Sequence, residues 1–342
     1  MISLASAPDR ARWNGYVERH PHASVYHRWE WLEVFERTYG ARAFPLMARY
    51  GGAVTGVLPL VRVGPPGAPG KLVSLPWFGH GGAVADDDAT WRCLLDAAGA
   101  LRGELGAAHV ELRHAHPVPA EGLAAREGKV LMRLDVSVGE EALLKAVGAK
   151  TRADVRRPEK EGMTAHVGGA ELAGEFHAVY ADVMRDLGSP SHARALFERA
   201  ALAMPDRSFF VVVRYEGGAV GGGFLAGMGD TLEIPCAGTR HGFARLRGNM
   251  LLYWTVIREA MRRGYRAFSF GRSSEDSGTY TFKKNWGARP APLPYHYLLP
   301  PGRALPASAG ESPVLARVSE GWKRLPVGLT ERVGPRLVRW LP

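Results

Sequence analysis

Cysteine is nearly absent: Cys93 and Cys236 are the two thiols in 342 residues, far apart and without a CxxC pair. That excludes a disulfide scaffold and a cysteine-built zinc site, and leaves two buried free thiols as the expectation. No run approaches the roughly 18 to 20 uninterrupted apolar residues of a membrane-spanning helix, and the opening decapeptide lacks a basic start followed by an apolar block. The chain therefore reads as cytoplasmic. Also missing are a GxSxG elbow, a GxxxxGK[ST] loop, a GxGxxG turn after a strand and an HExxH pair. Serine-hydrolase, P-loop, dinucleotide-fold and zincin chemistry are set aside on that ground. His114 and His116 have no third ligand at a metal-binding spacing, so no metal is expected.

What is present is an ordinary globular composition, 46% hydrophobic and 23% charged, over a length that suits about two domains. The net charge is +10. It is concentrated: Thr239 to Arg272 holds eight Lys or Arg against one Glu, and Lys150 to Lys160 holds five against two acids. Such clusters suit a phosphate-bearing partner, a nucleotide, coenzyme or tRNA, or else form a solvated basic face.

The chain repeats itself. Arg49-Tyr50-Gly51-Gly52-Ala53-Val54-Thr55-Gly56 recurs as Arg214-Tyr215-Glu216-Gly217-Gly218-Ala219-Val220-Gly221, read with Glu216 as an insertion. Each copy predicts a β-hairpin with a glycine tip, 45–50 with 54–61 and 209–215 with 219–226. A strand, a loop, a helix and a closing strand follow each hairpin in one order: 71–75, 79–82, 90–105 and 109–113, then 231–237, 238–248, 249–263 and 267–272. Each helix runs into a glycine, Gly106 or Gly264, as a left-handed C-cap requires. Helices at 28–38, 172–187 and 193–203 open the copies. The order resembles the GNAT acyltransferase fold. The expected class is α/β (α+β), with two tandem GNAT-like domains, each a mixed, mostly antiparallel sheet flanked by helices. Their bounds are 1–140 and 141–299, the second carrying the chemistry.

Residues 300–342 read as a Pro/Gly/Ala linker to 310 and then a basic amphipathic tail with Trp322 and Trp340. A helix pair docked on the protein is the first expectation for this tail, and an interfacial helix on anionic lipid the second.

Two stretches carry chemistry. Arg245-Leu246-Arg247-Gly248-Asn249-Met250 resembles the pyrophosphate loop [QR]xxGx[GA] of a GNAT unit, with Arg245, Gly248 and a helix-capping Asn249 as candidate cofactor contacts. Met250 departs from the pattern where a small residue lets the diphosphate approach. The second stretch, Tyr280-x-Phe282-Lys283-x-x-Trp286-Gly287, resembles the YxFKxx[FW]G motif of the FemAB family, tandem-GNAT aminoacyltransferases. Lys150-x-Arg152-x-x-x-Arg156-Arg157-x-x-Lys160 is similar to the basic entry of that family's second domain, although Pro158 is expected to break the helix. Met184 to Pro190, Gly271 to Ser273 and Ser277 to Tyr280 resemble the FemAB-like proteins associated with PEP-CTERM and exosortase exopolysaccharide systems.

The resemblance implies acyl transfer to an amine on a cell-envelope, peptidoglycan or exopolysaccharide precursor, in a cleft between the halves. One copy would remain as scaffold. The donor is aminoacyl-tRNA or acyl-CoA, with no tightly bound cofactor. By position Lys283 polarises the donor carbonyl and Tyr280 lends a hydroxyl, with Asp276 or Glu275 as base. Arg152, Arg156, Arg185 and Arg272 hold phosphate or carboxylate, with Phe282 and Trp286 beside them. The alternative reading is a non-catalytic GNAT-fold binding or scaffold protein of exopolysaccharide assembly, and tRNA and a peripheral membrane surface are further candidate partners.

Overall fold

The computed structural model describes residues 1–307 and 313–341; residues 308–312 and Pro342, which hold the end of the expected linker and the last residue of the expected tail, lie outside it. The chain forms two compact units, residues 1–130, 291–307 and 339 onward in one, residues 131–290 and 313–338 in the other.

In the first unit strands β1 (Ile2–Leu4), β2 (Ala43–Tyr50), β3 (Ala53–Val63), β4 (Lys71–Ser74), β5 (Val84–Ala85), β6 (Val110–Arg113) and β7 (Ala124–Arg126) accompany helices α1 (Arg10–Arg19), α2 (Glu30–Tyr39) and α3 (Asp88–Glu104). Alternate residues of the strands, Phe44, Leu46 and Ala48 with Leu58 and Leu60, turn to one face. Trp91, Leu94, Leu95, Ala98 and Leu101, spaced as one stripe of α3, cover that face. Cys93 lies off this stripe and is exposed, contrary to the expectation of a buried thiol; both cysteines are free.

In the second unit come β8 (Lys129–Asp135), β9 (Thr164–Gly168), β10 (Ser208–Tyr215), β11 (Gly218–Met228), β12 (Thr231–Thr239), β13 (Ala267–Ser274) and β14 (Arg289–Pro292). The helices are α4 (Glu140–Ala146), α5 (Ala149–Lys160), α6 (Ala173–Asp186), α7 (Arg194–Ala203), α8 (Gly248–Arg262) and α9 (Gly278–Lys284). Phe176 of α6 meets Phe210 of the sheet at 5.2 Å between ring centroids, Phe197 of α7 meets Phe224 at 5.3 Å, and the two helix rings lie 4.9 Å apart. Pro158 does not break α5. It sits buried in the last turn, where one missing N–H ends a helix that stops two residues later.

The chain then returns to the first unit as β15 (Tyr295–Leu298), antiparallel to both β6 and β7. A domain drawn as 141–299 thus loses its last strand to the other sheet and gains residues 131–140 in exchange. The sheet orders are β1-β2-β3-β4-β6-β15-β7 and β14-β8-β13-β12-β11-β10-β9. Read from their hairpin edges they are the same path, with a parallel pair, β4 with β6 or β12 with β13, in the same place. Strand neighbours, unlike chain order, establish two tandem copies of one fold.

The hairpins match residue for residue. Gly56 faces Ala48 and Gly221 faces Val213, and in each copy the register slips one residue on. The tips are Gly51-Gly52 and Glu216-Gly217, all four at φ between 50° and 83°. Glu216 therefore stands at the position of Gly51 and is no insertion; it occupies a left-handed conformation that glycine adopts more cheaply.

Helices α10 (Pro313–Lys323) and α11 (Val327–Val338) form the tail and pack on α6. No helix among the described residues is long and apolar enough to cross a membrane.

Close backbone packing in the first copy gives a test. A Cβ on Gly82 would lie 2.3 Å from the ring of buried His114. Gly82→Ala should destabilise the protein by about 2 kcal/mol in a urea titration. A loss within about 0.5 kcal/mol, the range of an indifferent surface change, would contradict this packing.

Candidate active site

In both copies the parallel pair stops short, and the two stops differ. In the first copy β4 and β6 pair at Leu72 with Val110 and Val73 with Glu111. The space beyond is closed by the chain itself. Ser74 Oγ accepts the Arg113 N–H at 2.9 Å, and the N–H groups of Gly81 and Gly82 both donate to the Arg113 carbonyl at 3.0 Å. The Arg113 guanidinium, 2% exposed, donates to Glu111 and to the Phe78 carbonyl and lies 4.8 Å over the Tyr295 ring. The Arg113 carbonyl and guanidinium are thus both taken up by the chain itself.

In the second copy pairing of β12 with β13 ends at Glu233 and Ser269, while the strands run on to Thr239 and Ser274. Two residues, Ile234 and Pro235, oppose the single Leu225 of β11 there. Pro235 has no N–H to give, so the ladder stops where the sequence removes a donor. Just past this point the carbonyls of Gly271 and Arg272 accept from the Lys283 ammonium at 3.4 and 3.0 Å. Ser269 Oγ donates to Glu233 Oε2 at 2.7 Å and accepts from Gly271 N.

Lys283 is only 6% exposed. Burial pushes its pKa down to about 8, the Glu233 carboxylate pulls it back up, and the Arg272 charge adds to the lowering. A cation held in a low-dielectric setting by two carbonyl dipoles and a carboxylate exerts far more field on a nearby oxygen than a surface lysine does. Ser273 Oγ and Trp286 Nε1 are buried beside this segment with no hydrogen-bond partner. Cys236, half-buried on β12, has its thiol pushed up to about 12 by desolvation, so it stays protonated.

The segment after β13 folds into the short helix α9. Ser277 caps α9 by accepting the Tyr280 N–H at 3.2 Å. One turn later Lys283 faces inward. Trp286 stacks on Trp254 of α8 at 6.2 Å, and Phe282 meets Tyr253 at 5.1 Å. These aromatics fix α9 against α8 and thereby set the position of Lys283.

The other sequence candidates are placed as follows. Tyr280 lies under the Lys284 ammonium at 5.5 Å, and Asp276 and Glu275 are exposed in the turn after β13, Asp276 at φ 62°. Arg272 is exposed at the strand end beside Lys283. Arg152 donates to the Leu144 and Val147 carbonyls at the end of α4, and Arg156 is exposed one turn further along α5. Arg185 pairs with Asp186 and donates to the Leu325 carbonyl, so the tail helices hold it.

The two helix starts contrast as the strand ends do. Asp87 caps α3 by accepting the Thr90 N–H at 2.7 Å, with Asp88 in the first turn, an arrangement that repels anions. In α8 the cap residue is Arg247, at φ 61°, with no side-chain cap. Asn249 lies inside the helix and is not its cap. Arg245 is exposed alongside, and Arg247 lies 3.5 Å from Asp154 of the basic helix α5. Gly248 and Met250 are buried, so Met250 belongs to the packed face of α8. This is an uncapped, positively flanked helix N-terminus. A surface depression of about 570 Å³ lies elsewhere, between Glu140 and the Arg258 to Arg262 face of α8.

Sequence reasoning missed Glu233, Ser269 and Ser273. Glu233 is the one acid in the apolar run Leu232-Glu233-Ile234, and Ser269 separates Phe268 from Phe270. A charged residue inside a buried strand was the available signal.

Residues 149–284 match the family model described as an acetyltransferase (GNAT) domain. The match runs from the start of α5 to the end of α9, the stretch that holds the basic helix, the uncapped helix start and Lys283. No curated protein matches the chain. Among solved structures, FemX is 16% identical over 87% of this chain and 97% of its own, with a TM-score of 0.71. The C-terminal domain of a putative lysylphosphatidylglycerol synthetase from Agrobacterium fabrum is 15% identical over 86% and 92%, with a TM-score of 0.59. A tandem GNAT protein from the clavulanic acid biosynthesis pathway is 14% identical over 90% and 99%, with a TM-score of 0.54. At such identities the likeness is one of fold: this chain has a tandem GNAT architecture, and its second copy contains the GNAT domain.

Proposed function

We propose that the protein is an acyltransferase in which the second copy carries the reaction and the first is scaffold. It moves an acyl or aminoacyl group from a phosphate-bearing ester donor, acyl-CoA or aminoacyl-tRNA, to an amine of a cell-envelope or exopolysaccharide precursor. The observation that carries this is the buried Lys283 ammonium where the β12 and β13 ladder ends, at a place the first copy has sealed.

In this reading the donor's phosphates meet the N–H groups at the start of α8, with Arg245 and Arg247 adding charge, Arg152 and Arg156 on α5, which packs against α8, and Arg272 on β13. The donor carbonyl lies by Lys283. Attack of the amine on that carbon breaks the C=O π bond and places negative charge on the oxygen, where the fixed ammonium stabilises it. Collapse expels the thiolate or ribose oxygen, and the proton lost by the amine ends on the leaving group. Glu233 keeps Lys283 protonated against the cost of burial. Met250, the departure from the pyrophosphate-loop pattern, is buried on the packed face of α8.

Lys283→Met keeps the aliphatic stem and removes the charge. Single-turnover transfer from labelled acetyl-CoA or aminoacyl-tRNA to amino-sugar and stem-peptide acceptors should fall about a hundredfold, with donor affinity changed much less. An unchanged rate would remove Lys283 from the chemistry. If neither donor is used, and neither raises the melting temperature while an acidic oligosaccharide does, the enzyme reading fails.

A measurement without substrate tests the buried charge. The fold lowers the Lys283 pKa from its ordinary 10.5 to about 8, so the unfolded chain binds more protons between those two values. Its contribution to stability rises with pH through that window. At pH 7 Lys283→Met should be the more stable protein, by up to about 3 kcal/mol, and the gap should narrow toward pH 10. A gap independent of pH would show that Lys283 is not desolvated.

Removing the Glu233 charge lowers the lysine pKa further. Glu233→Gln should therefore move the alkaline fall in activity to a pH below that of the wild type, near 8. A limb that stays in place would deny Glu233 this positioning role.

A further inference from the structure

The tail helices have two faces, and the fold uses one. Trp322 of α10 and Thr330 and Val338 of α11 are buried, and Gly334 packs against Ser191. Glu331 Oε1 lies 3.4 Å from His177 Nδ1, and the α10 to α11 connection accepts Arg185 through the Leu325 carbonyl. This is the docked face, held to α6 and the segment after it.

One residue around α11, about 100° on the helical wheel, a second apolar stripe begins. Leu329, Val333 and Leu337 recur at i, i+4 and i+8, with Leu329 45% and Leu337 43% exposed. Arg332 and Arg336 run beside them, both exposed. On α10, Leu315 and Val318 are 44% and 57% exposed, with Arg317 exposed between them. Leu187, at the end of α6, is 63% exposed, and its neighbour Gly188 abuts Ser319 of α10. The two carboxylates of these helices are engaged, Glu331 with His177 and Glu320 with Lys323. The exposed charge of this face is therefore arginine: Arg317, Arg324, Arg332 and Arg336.

We infer that the outer face of the α10 and α11 hairpin is a docking surface for a bilayer rich in anionic phospholipid. Leucine and valine enter the interface between headgroups while the arginines reach lipid phosphates. A lipid surface fits better than a second copy of the chain, because a two-fold pairing of this face would set four arginines against four. The inference is independent of the acyl-transfer proposal, since it rests on neither Lys283 nor the α8 start.

The experiment is flotation of the full chain with two vesicle types, phosphatidylcholine alone and phosphatidylcholine with about a third phosphatidylglycerol. Binding is expected to the second, weakening as salt rises. The double variant L329S/L337S should lose at least about tenfold in affinity. The variant R332Q/R336Q should lose about fivefold for each arginine and about half of the salt dependence. The altered side chains are exposed, so melting temperatures within a degree or two of wild type are expected and serve as the folding control. Equal binding to both vesicle types, absence of binding at low salt, or variants that bind as wild type each overturn the inference. So does a dimer seen by sedimentation without lipid that L329S/L337S dissociates, since that gives the face to a second copy.

Discussion

An ammonium group held out of water determines how the second copy is arranged. Lys283 loses hydration that two carbonyls and one carboxylate only partly replace, and its lowered pKa records the deficit. The surroundings are built to hold it. Ser277 starts the helix that carries it, Trp286 and Phe282 lock that helix onto α8, and Pro235 ends the ladder so that β13 has carbonyls to offer. A core made for stability alone would have an aliphatic residue here. Retaining the charge is intelligible where a site must bear on developing negative charge.

The two copies show how one fold can be opened or closed by few residues. At the first, a carbonyl that β13 leaves for a side chain has its counterpart in Arg113, whose oxygen takes two glycine N–H groups, and the guanidinium ties down the loop above it. One helix start carries an aspartate cap and the other an arginine in a left-handed turn. Strand order is unchanged throughout. Fold and chemistry are separable here, and the difference lies at the strand ends and helix starts.

Much of this was legible in the residues. Glycine-tipped hairpins, terminal glycines and apolar stripes located the repeated elements to within two or three residues, since each is a local signal. Three things were not local. Nothing in Tyr295-His296-Tyr297-Leu298 tells which sheet it joins, because both edges accept an alternating strand. Glu216 reads as an insertion until register shows it at the tip position that Gly51 holds in the first hairpin. Glu233 acts on Lys283, 50 positions away, only because β12 and β13 are neighbours and α9 folds back; the motif supplied the lysine and only the sheet supplied the carboxylate whose charge bears on it.

The return of β15 to the first sheet also bears on how the chain matures as it leaves the ribosome. Strand β7 has β15 as its sheet partner, and β6 has it on one side, so both edges wait until residues 295–298 emerge, after all of the second copy's central strands. The N-terminal module, synthesised first, closes last. Its open hydrogen-bonding edge is exposed for most of translation, the interval in which such edges pair with the wrong chain, so nascent-chain protection is needed most by the N-terminal unit.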